Sequence, residues 1–313
     1  MASRIASRMR VVPAAMLRRF TVRRRRPGSR GSILVAHHLP LGDTLMLTPL
    51  LAKLREQHPT ARIAMTVRKA AAPLYSGRPY GVEPLAFDPQ DPGTLAALLD
   101  RPGFELAYVP GDNRYSWLAA AAGARWIVAH ASDRPAYKNW PVDELRSWPD
   151  APAAWGDMVA ALADGPPPQP YNPVDWPDPM HAPFALPEGR YAVLHVGSST
   201  PLKRWGTQKW RLLADGLSAN VFAIAWSAGA GEEAEVTMVD PAGRDQSVAG
   251  QLDLAQLWRL VKGASLLVCP DTALAHLGRL AGTPTVTLFG PGSAVLCGAG
   301  AFWRASPYRS VTI

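Results

Sequence analysis

Cysteine is nearly absent from this chain of 313 residues: Cys269 and Cys297 are the only two. That excludes a disulfide framework and a cysteine-based metal cluster, and it points to a reducing compartment. Cys269 closes an apolar run and reads as a small core hydrophobe rather than a nucleophile. No apolar stretch approaches the roughly 18 residues that span a bilayer. No Asp-x-Asp pair occurs anywhere, and no internal repeat is visible. Neither half carries a Gly-x-Gly-x-x-Gly turn after its first strand, which disfavours a nicotinamide-dependent dehydrogenase. Acidic residues are missing altogether from the first 31 positions, which hold ten arginines: Arg4, Arg8, Arg10, Arg18, Arg19, Arg23 to Arg26 and Arg30. Setting those ten aside turns the net charge of +8 into about −2 for the remainder, so the basicity belongs to an N-terminal arm.

Residues 1–31 therefore read as an arm apart from the folded body, either disordered or membrane-associated. Met9 to Phe20 alternates apolar and basic residues and fits an amphipathic helix on an anionic membrane face. An Arg-rich, acid-free segment also fits a targeting sequence. A solvated tail, or a start upstream of the true one, is the plain alternative. Nucleic acid is not expected as a partner, because Arg23 to Arg26 lack interleaved aromatics and any reader motif.

Beyond the arm, short apolar runs alternate with helical patterns. Ser32 to Ala36, Ala61 to Val67 and Leu106 to Val109 read as strands, and Leu45, Leu47, Leu50, Leu51 and Leu54 mark a helix between the first two. Strands resume at Tyr191 to Val196, Val221 to Trp226, Ser265 to Val268 and Thr285 to Phe289. Between the two groups lies a proline-dense stretch, from Pro166, Pro167 and Pro168 to Pro187, which cannot sustain a helix or a central strand. The expected organisation is an α/β chain with one unit at residues 32–164, a linker at 165–188 and a second unit at 189–313. Each unit carries a parallel sheet, and a cleft is expected between the carboxyl ends of the two sheets.

Chemistry concentrates at residues 264–291. Asp271 and Thr272 follow a strand and open a helix from about Ala273 to Ala281, which Gly282 and Pro284 end. The free N–H groups at such a helix start suit a diphosphate. His276, four residues after Thr272, lies close to one turn away and faces the same side. Binding of a nucleotide or sugar phosphate and a plain strand–helix–strand packing unit remain alternatives at this point.

Asp271-Thr272-Ala273 with His276, then Gly282-Thr283-Pro284 and Leu288-Phe289-Gly290-Pro291, resembles the glycosyltransferase family that contains the lipopolysaccharide heptosyltransferases. Leu41-Gly42-Asp43 with Thr48-Pro49-Leu50 looks like that family's opening motif. His195-Val196-Gly197-Ser198-Ser199 with Lys203-Arg204-Trp205 and Trp210 is a third match, and the three stand in the family's order. The resemblance implies a GT-B fold of two Rossmann-like domains and inverting, metal-independent transfer from a nucleotide-sugar, without a cofactor. It implies ADP-heptose as donor, a lipid-linked or envelope glycan as acceptor, and a cytoplasmic enzyme at the inner membrane face.

Roles carry over residue by residue. Asp43 matches the family's base, although an Asp there also suits a helix cap. Gly42 beside it lets the backbone approach a ligand. Lys203 matches a group that offsets charge on the leaving diphosphate, with Ser198, Ser199, Asp271, Thr272, Ala273 and His276 around the same phosphates. Glu232 and Glu233, after Gly229-Ala230-Gly231, resemble the segment near the nucleotide ribose, though acids are common in any first helical turn. Arg68, Lys69 and Arg114 are the acceptor candidates, facing anionic groups on a glycan or serving as solvated surface charge. Trp140, Trp148 and Trp155 form either a sugar-stacking surface or aromatic anchors.

Two departures from the family pattern weigh on activity. Ala273 stands where the family has Gly, adding a methyl where a backbone approaches the diphosphate. Ile313 comes soon after Phe302-Trp303, where family members continue through more helix. A degenerate nucleotide-binding GT-B protein and a GT-B transferase with another donor are the rival readings.

Overall fold

The computed structural model describes residues 2–21, 24–28 and 31–313, so Arg23 and Arg30 of the basic arm lie outside the described residues. The chain divides into two units, Met1–Gln169 and Pro170–Ile313.

The first unit runs α1 (Ala2–Thr21), β1 (Ser32–Val35), α2 (Leu41–Leu45), α3 (Thr48–Gln57), β2 (Arg62–Val67), β3 (Glu83–Ala86), α4 (Pro92–Leu99), β4 (Leu106–Val109), α5 (Ser116–Ala121), β5 (Trp126–His130), β6 (Glu144–Arg146) and α6 (Trp155–Ala160). Its six strands are all parallel, in the order β3-β2-β1-β4-β5-β6. Ile33, Leu34 and Val35 of the central strand are fully buried, as helices on both faces of a parallel sheet require.

The Arg-rich segment is helical over Ala2–Thr21 and belongs to this unit. Val11, Ala14 and Ala15 of α1 pack into the core beside Leu118, Ala119 and Ala122. Arg19 and Arg24 both bond Asp143, at 2.8 and 2.5 Å, and Arg26 bonds Asp164 at 2.5 Å. Three of the arm's charges thus neutralise acids of the unit, and small apolar residues on one helical stripe give α1 a seat that arginine counting does not reveal. Met16, Leu17 and Phe20 remain exposed on its outer side. No helix of the described residues is long and apolar enough to cross a membrane.

The second unit runs β7 (Tyr191–His195), α7 (Thr207–Ala219), β8 (Ala223–Ser227), α8 (Glu233–Val239), β9 (Gln246–Ser247), α9 (Leu254–Gly263), β10 (Leu266–Pro270), α10 (Ala273–Ala281), β11 (Thr285–Phe289) and β12 (Tyr308–Thr312). Its sheet is again all parallel, β12-β11-β10-β7-β8-β9, which is the same permutation as in the first unit. The strand order reverses between β1 and β4 in one sheet and between β7 and β10 in the other. Ligands of doubly wound sheets bind outside the carboxyl ends of the strands at that reversal.

The proline-dense stretch is partly absorbed by the second unit. Tyr171 donates its hydroxyl to the Leu280 carbonyl at 2.6 Å, and Trp176 stacks on Trp258 with ring centroids 5.5 Å apart. Both aromatics are buried, so the segment is held by side chains where its prolines forbid strand pairing.

Buried histidines couple this fold to pH. Burial lowers His37 to about 3 and both His130 and His195 to about 4. In the unfolded chain a histidine titrates near 6.5, so between about pH 6.5 and 4 the unfolded state binds more protons. Stability is expected to fall as pH falls through that window, by about 1–2 kcal/mol per histidine between pH 7 and 5. Urea denaturation at the two pH values checks this, and equal midpoints refute it.

Candidate functional site

At the reversal in the second sheet, the chain leaving β7 meets the chain leaving β10. Gly197 to Thr200 turns over the end of β7, where the Ser198 hydroxyl donates to the Thr200 carbonyl at 2.6 Å and accepts from its N–H at 3.3 Å. That seats Ser198 in a tight turn, while Ser199 is exposed to solvent. A single 3₁₀ turn, Pro201–Lys203, then brings Lys203 across to β10. Its ammonium donates to Asp271 twice, to Oδ2 at 2.7 Å and to the carbonyl at 3.1 Å. The Asp271 side chain is 5% exposed, whereas that of Lys203 is a quarter exposed. An ammonium has three N–H donors, so one remains for a ligand.

Thr272 is the N-cap of α10, but its side chain caps nothing: Oγ1 is buried and lacks a hydrogen-bond partner among the described residues. Ala275 N donates to the Thr272 carbonyl at 3.1 Å, so the N–H groups of Ala273 and Leu274 are left for a ligand together with that hydroxyl. Ala273 begins the helix and is half-buried. Gly292 is forced here: a Cβ at that position would collide with the Asp271 carboxylate.

One turn along α10, His276 is buried and its Nδ1 bonds the Arg279 guanidinium. Arginine only donates, so Nδ1 accepts and the imidazole proton sits on Nε2. Burial, then the nearby Arg279 and Lys203 cations, hold His276 well below its ordinary pKa. The ring is a neutral N–H donor across the physiological range. Arg279 itself is 1% exposed and forms no ion pair with a carboxylate among the described residues. It bonds the carbonyls of Cys297 (2.9 Å) and Gly298, with Trp303 and Tyr308 rings 5.3 and 4.8 Å away. Sequence reasoning missed this residue, because all its partners outside α10 lie eighteen or more positions downstream.

Glu232 closes the floor. One carboxylate oxygen accepts from Ser198 N and the other from Gly229 N, both at 3.0 Å, which ties the turn after β7 to the turn after β8. A Cβ on Gly197 would strike that carboxylate, which explains the glycine. Glu232→Ala is expected to leave two N–H groups unmet and to cost about 1–3 kcal/mol, read from a thermal melt. Glu233 is exposed and accepts from Gly231 N at 2.9 Å. Cys269 is a core residue: burial pushes its thiol up to about 12.

Asp43 lies on the first unit, at the reversal between β1 and β4. It is the third residue of α2 and half-buried, while Pro40 holds the N-cap position with no side-chain cap bond. Gly42 precedes it, its carbonyl accepting from Met46 N. Arg68, at the end of β2, donates to the Leu39 carbonyl at 2.8 Å and so borders the same loop. Lys69 follows it on the surface. Arg114 is exposed and paired with Asp112 at 2.9 Å. Of the tryptophans, Trp148 stacks on His130, Trp140 is 68% exposed, and Trp155 opens α6. Among the described residues no group of three or more His, Cys, Asp and Glu is placed to hold a metal ion.

The model of glycosyltransferase family 9 (heptosyltransferase) matches residues 157–304, the segment that holds Ser198, Lys203, Glu232, Asp271, Thr272 and His276. Over 108 residues the chain is 32% identical to lipopolysaccharide heptosyltransferase 1 of Pseudomonas aeruginosa. That match covers 34% of this chain and 30% of the relative, so it spans less than a third of that protein. Among solved structures, the E. coli ADP-heptose lps heptosyltransferase II has a TM-score of 0.73 at 19% identity, over 90% of this chain and 89% of that one. The E. coli heptosyltransferase WaaC with ADP has a TM-score of 0.72 at 18% identity, over 90% and 93%. A family 9 structure from Veillonella parvula has a TM-score of 0.73 at 17% identity, over 91% and 88%. The fold is therefore GT-B, with two Rossmann-like α/β units.

Proposed function

We propose that this chain, whose residues 157–304 match the model of glycosyltransferase family 9, is a member of that family and moves a sugar from a nucleotide-sugar to a glycan acceptor with inversion at the anomeric carbon. ADP-heptose is the proposed donor, and a lipopolysaccharide or other envelope glycan the proposed acceptor. The observation that carries the reading is the Lys203–Asp271 pair at the N-terminus of α10, beside an uncapped helix start and a neutral His276 donor.

In this reaction Asp43 takes the proton of an acceptor hydroxyl as its oxygen attacks the anomeric carbon. The bond from that carbon to the diphosphate breaks, and the nucleoside diphosphate leaves. Its developing charge meets the third Lys203 N–H, His276 Nε2–H, the Thr272 hydroxyl and the N–H groups of α10, with Ser199 and the backbone at Ala273 on the same rim. These groups supply the compensation without a metal. Glu232 holds the floor through Ser198 and Gly229, and Glu233 is the acid proposed for the ribose hydroxyls. Arg68, Lys69 and Arg114 are the proposed acceptor contacts.

Calorimetric titration with ADP, UDP, GDP and dTDP, without metal and then with Mg²⁺, tests this. Metal-independent binding of one nucleotide, with release of sugar to an acceptor, supports it, and no binding by any refutes it. Ala273 favours one second reading, a GT-B protein that binds nucleotide without turnover; tight ADP binding with no transfer would select it. Contact with an inner-membrane surface is proposed through α1, where Met16, Leu17 and Phe20 are exposed beside arginines. Changing those three to Ser is expected to abolish sedimentation with phosphatidylglycerol vesicles, and unchanged sedimentation would refute the contact.

A further inference from the structure

A cavity of about 980 Å³ opens in the first unit, and Arg18, Arg25, Arg26, Arg125, Ser32 and Glu105 are among the residues that line it. Ser32 begins β1, Glu105 directly precedes β4 and Arg125 directly precedes β5. The cavity therefore sits at the amino ends of these strands, whereas Asp43 follows the carboxyl end of β1. Nothing in the transfer chemistry above uses it.

Its charges do not balance. Arg26 is paired with Asp164 at 2.5 Å. Arg18, Arg25 and Arg125 form no ion pair with a carboxylate among the described residues. Glu105 is the one acid among the described lining residues, and its carboxylate already accepts from Gly31 N at 2.6 Å. Three uncompensated guanidinium groups thus face one carboxylate across a concave wall, an arrangement that concentrates anions.

One of the three is fixed by the fold. The half-buried Arg18 donates to the Leu99 carbonyl at 3.3 Å, and its guanidinium lies against Gly123, where a Cβ would collide with it. Gly123 has a left-handed φ of 81°, and its carbonyl leaves no room for a Cβ on Gly103 either. The wall behind Arg18 is bare backbone, shaped around a guanidinium. The Leu99 bond uses one of its five N–H donors. Ser32 Oγ accepts from Glu105 N at 3.2 Å, which leaves the hydroxyl proton to donate.

This donor set says what fits. Planar guanidinium forks match phosphate oxygens two at a time. Three forks offer more N–H groups than the two oxygens of a carboxylate take up, whereas a phosphate group brings three strong acceptors. At about 30 Å³ per water the cavity holds roughly thirty waters. That is more than a phosphate group displaces, so the group it esterifies has room as well.

We infer that this cavity is an anion site for a phosphate ester, in which Arg18, Arg25 and Arg125 bind the phosphate group. Two sources supply that chemistry, a soluble phosphate ester and the headgroup of an anionic phospholipid. The site stands on the first unit alone and does not use the transferase reading.

The test titrates the full chain, saturated with ADP to occupy the second unit, with sn-glycerol 3-phosphate in a calorimeter. A saturable response is expected, and uncharged glycerol should give none. Arg25→Gln with Arg125→Gln removes two exposed cations, so this pair is expected to melt with wild type. It should bind glycerol 3-phosphate about tenfold or more weakly, the worth of one charge-assisted hydrogen bond. Arg304→Gln with Arg309→Gln makes the same charge change at exposed positions of the second unit and should bind as wild type does. Sedimentation with vesicles of phosphatidylglycerol in phosphatidylcholine separates the sources. Sedimentation lost in the cavity pair and kept in the control pair identifies the lipid headgroup, and sedimentation alike in both identifies the soluble ester. No saturable response to glycerol 3-phosphate, equal weakening by both pairs, or undiminished binding in the cavity pair overturns the site. A chain that fails to bind ADP sinks the transferase reading, and the two arginine pairs still decide the cavity.

Discussion

Replacing Asp43 by Asn lowers sugar transfer by about 10²- to 10⁴-fold, the usual worth of a general base, and leaves ADP affinity unchanged. The substitution keeps shape and hydrogen-bonding reach but removes the ability to take a proton. Capping does not confound the result, because Pro40 rather than Asp43 occupies the N-cap of α2. The nucleotide is assigned to residues of the second unit, so a base carried by the first should separate rate from donor binding. Initial rates with a labelled donor, set beside ADP calorimetry on the same preparation, provide the check. If the Asp43→Asn protein loses ADP binding in step with rate, Asp43 is a donor contact and the base lies elsewhere.

Lys203→Met has the second large effect, and it strikes two quantities at once. Loss of a charge-assisted contact to the diphosphate is expected to weaken ADP about 10- to 100-fold. Losing the cation beside an almost fully buried Asp271 also destabilises the fold, by about 1–3 kcal/mol since the lysine is partly exposed. A double-mutant cycle with Asp271→Asn separates the two. The paired variant no longer buries an uncompensated carboxylate, so its melting temperature should recover, whereas ADP affinity should not. Recovery of affinity together with stability would mean that Lys203 acts only as a structural partner of Asp271.

Much of this was legible in the sequence, for a local reason. The run from Leu266 to Phe289 declares strand, helix and strand through apolar residues and through Thr272, Gly282 and Pro284, and the structure has α10 at Ala273–Ala281. Central parallel strands are buried on both faces, so β1, β4 and β7 stand out as continuous apolar runs. The expected strand at Val221 to Trp226 begins instead at Ala223, since Val221 is exposed and takes a left-handed φ of 62°. The illegible part depends on distant partners. The arginines of α1 and its continuation reveal nothing of Asp143 or Asp164, which accept them more than a hundred positions later. An acid after a glycine turn makes Glu232 a ribose candidate in the sequence, and only the fold shows that both its oxygens also accept from backbone N–H groups.

The clamp around Arg279 sets an order in time. Translation delivers α10 before Cys297, Gly298, Trp303 and Tyr308, so a nascent chain holds a charged guanidinium with no carbonyls or rings to receive it. Until they arrive, no downstream carbonyl holds that guanidinium against His276 Nδ1. A half-made second unit is thus a poor host for a nucleoside diphosphate, and competence comes as a late, single event when the downstream segment folds back.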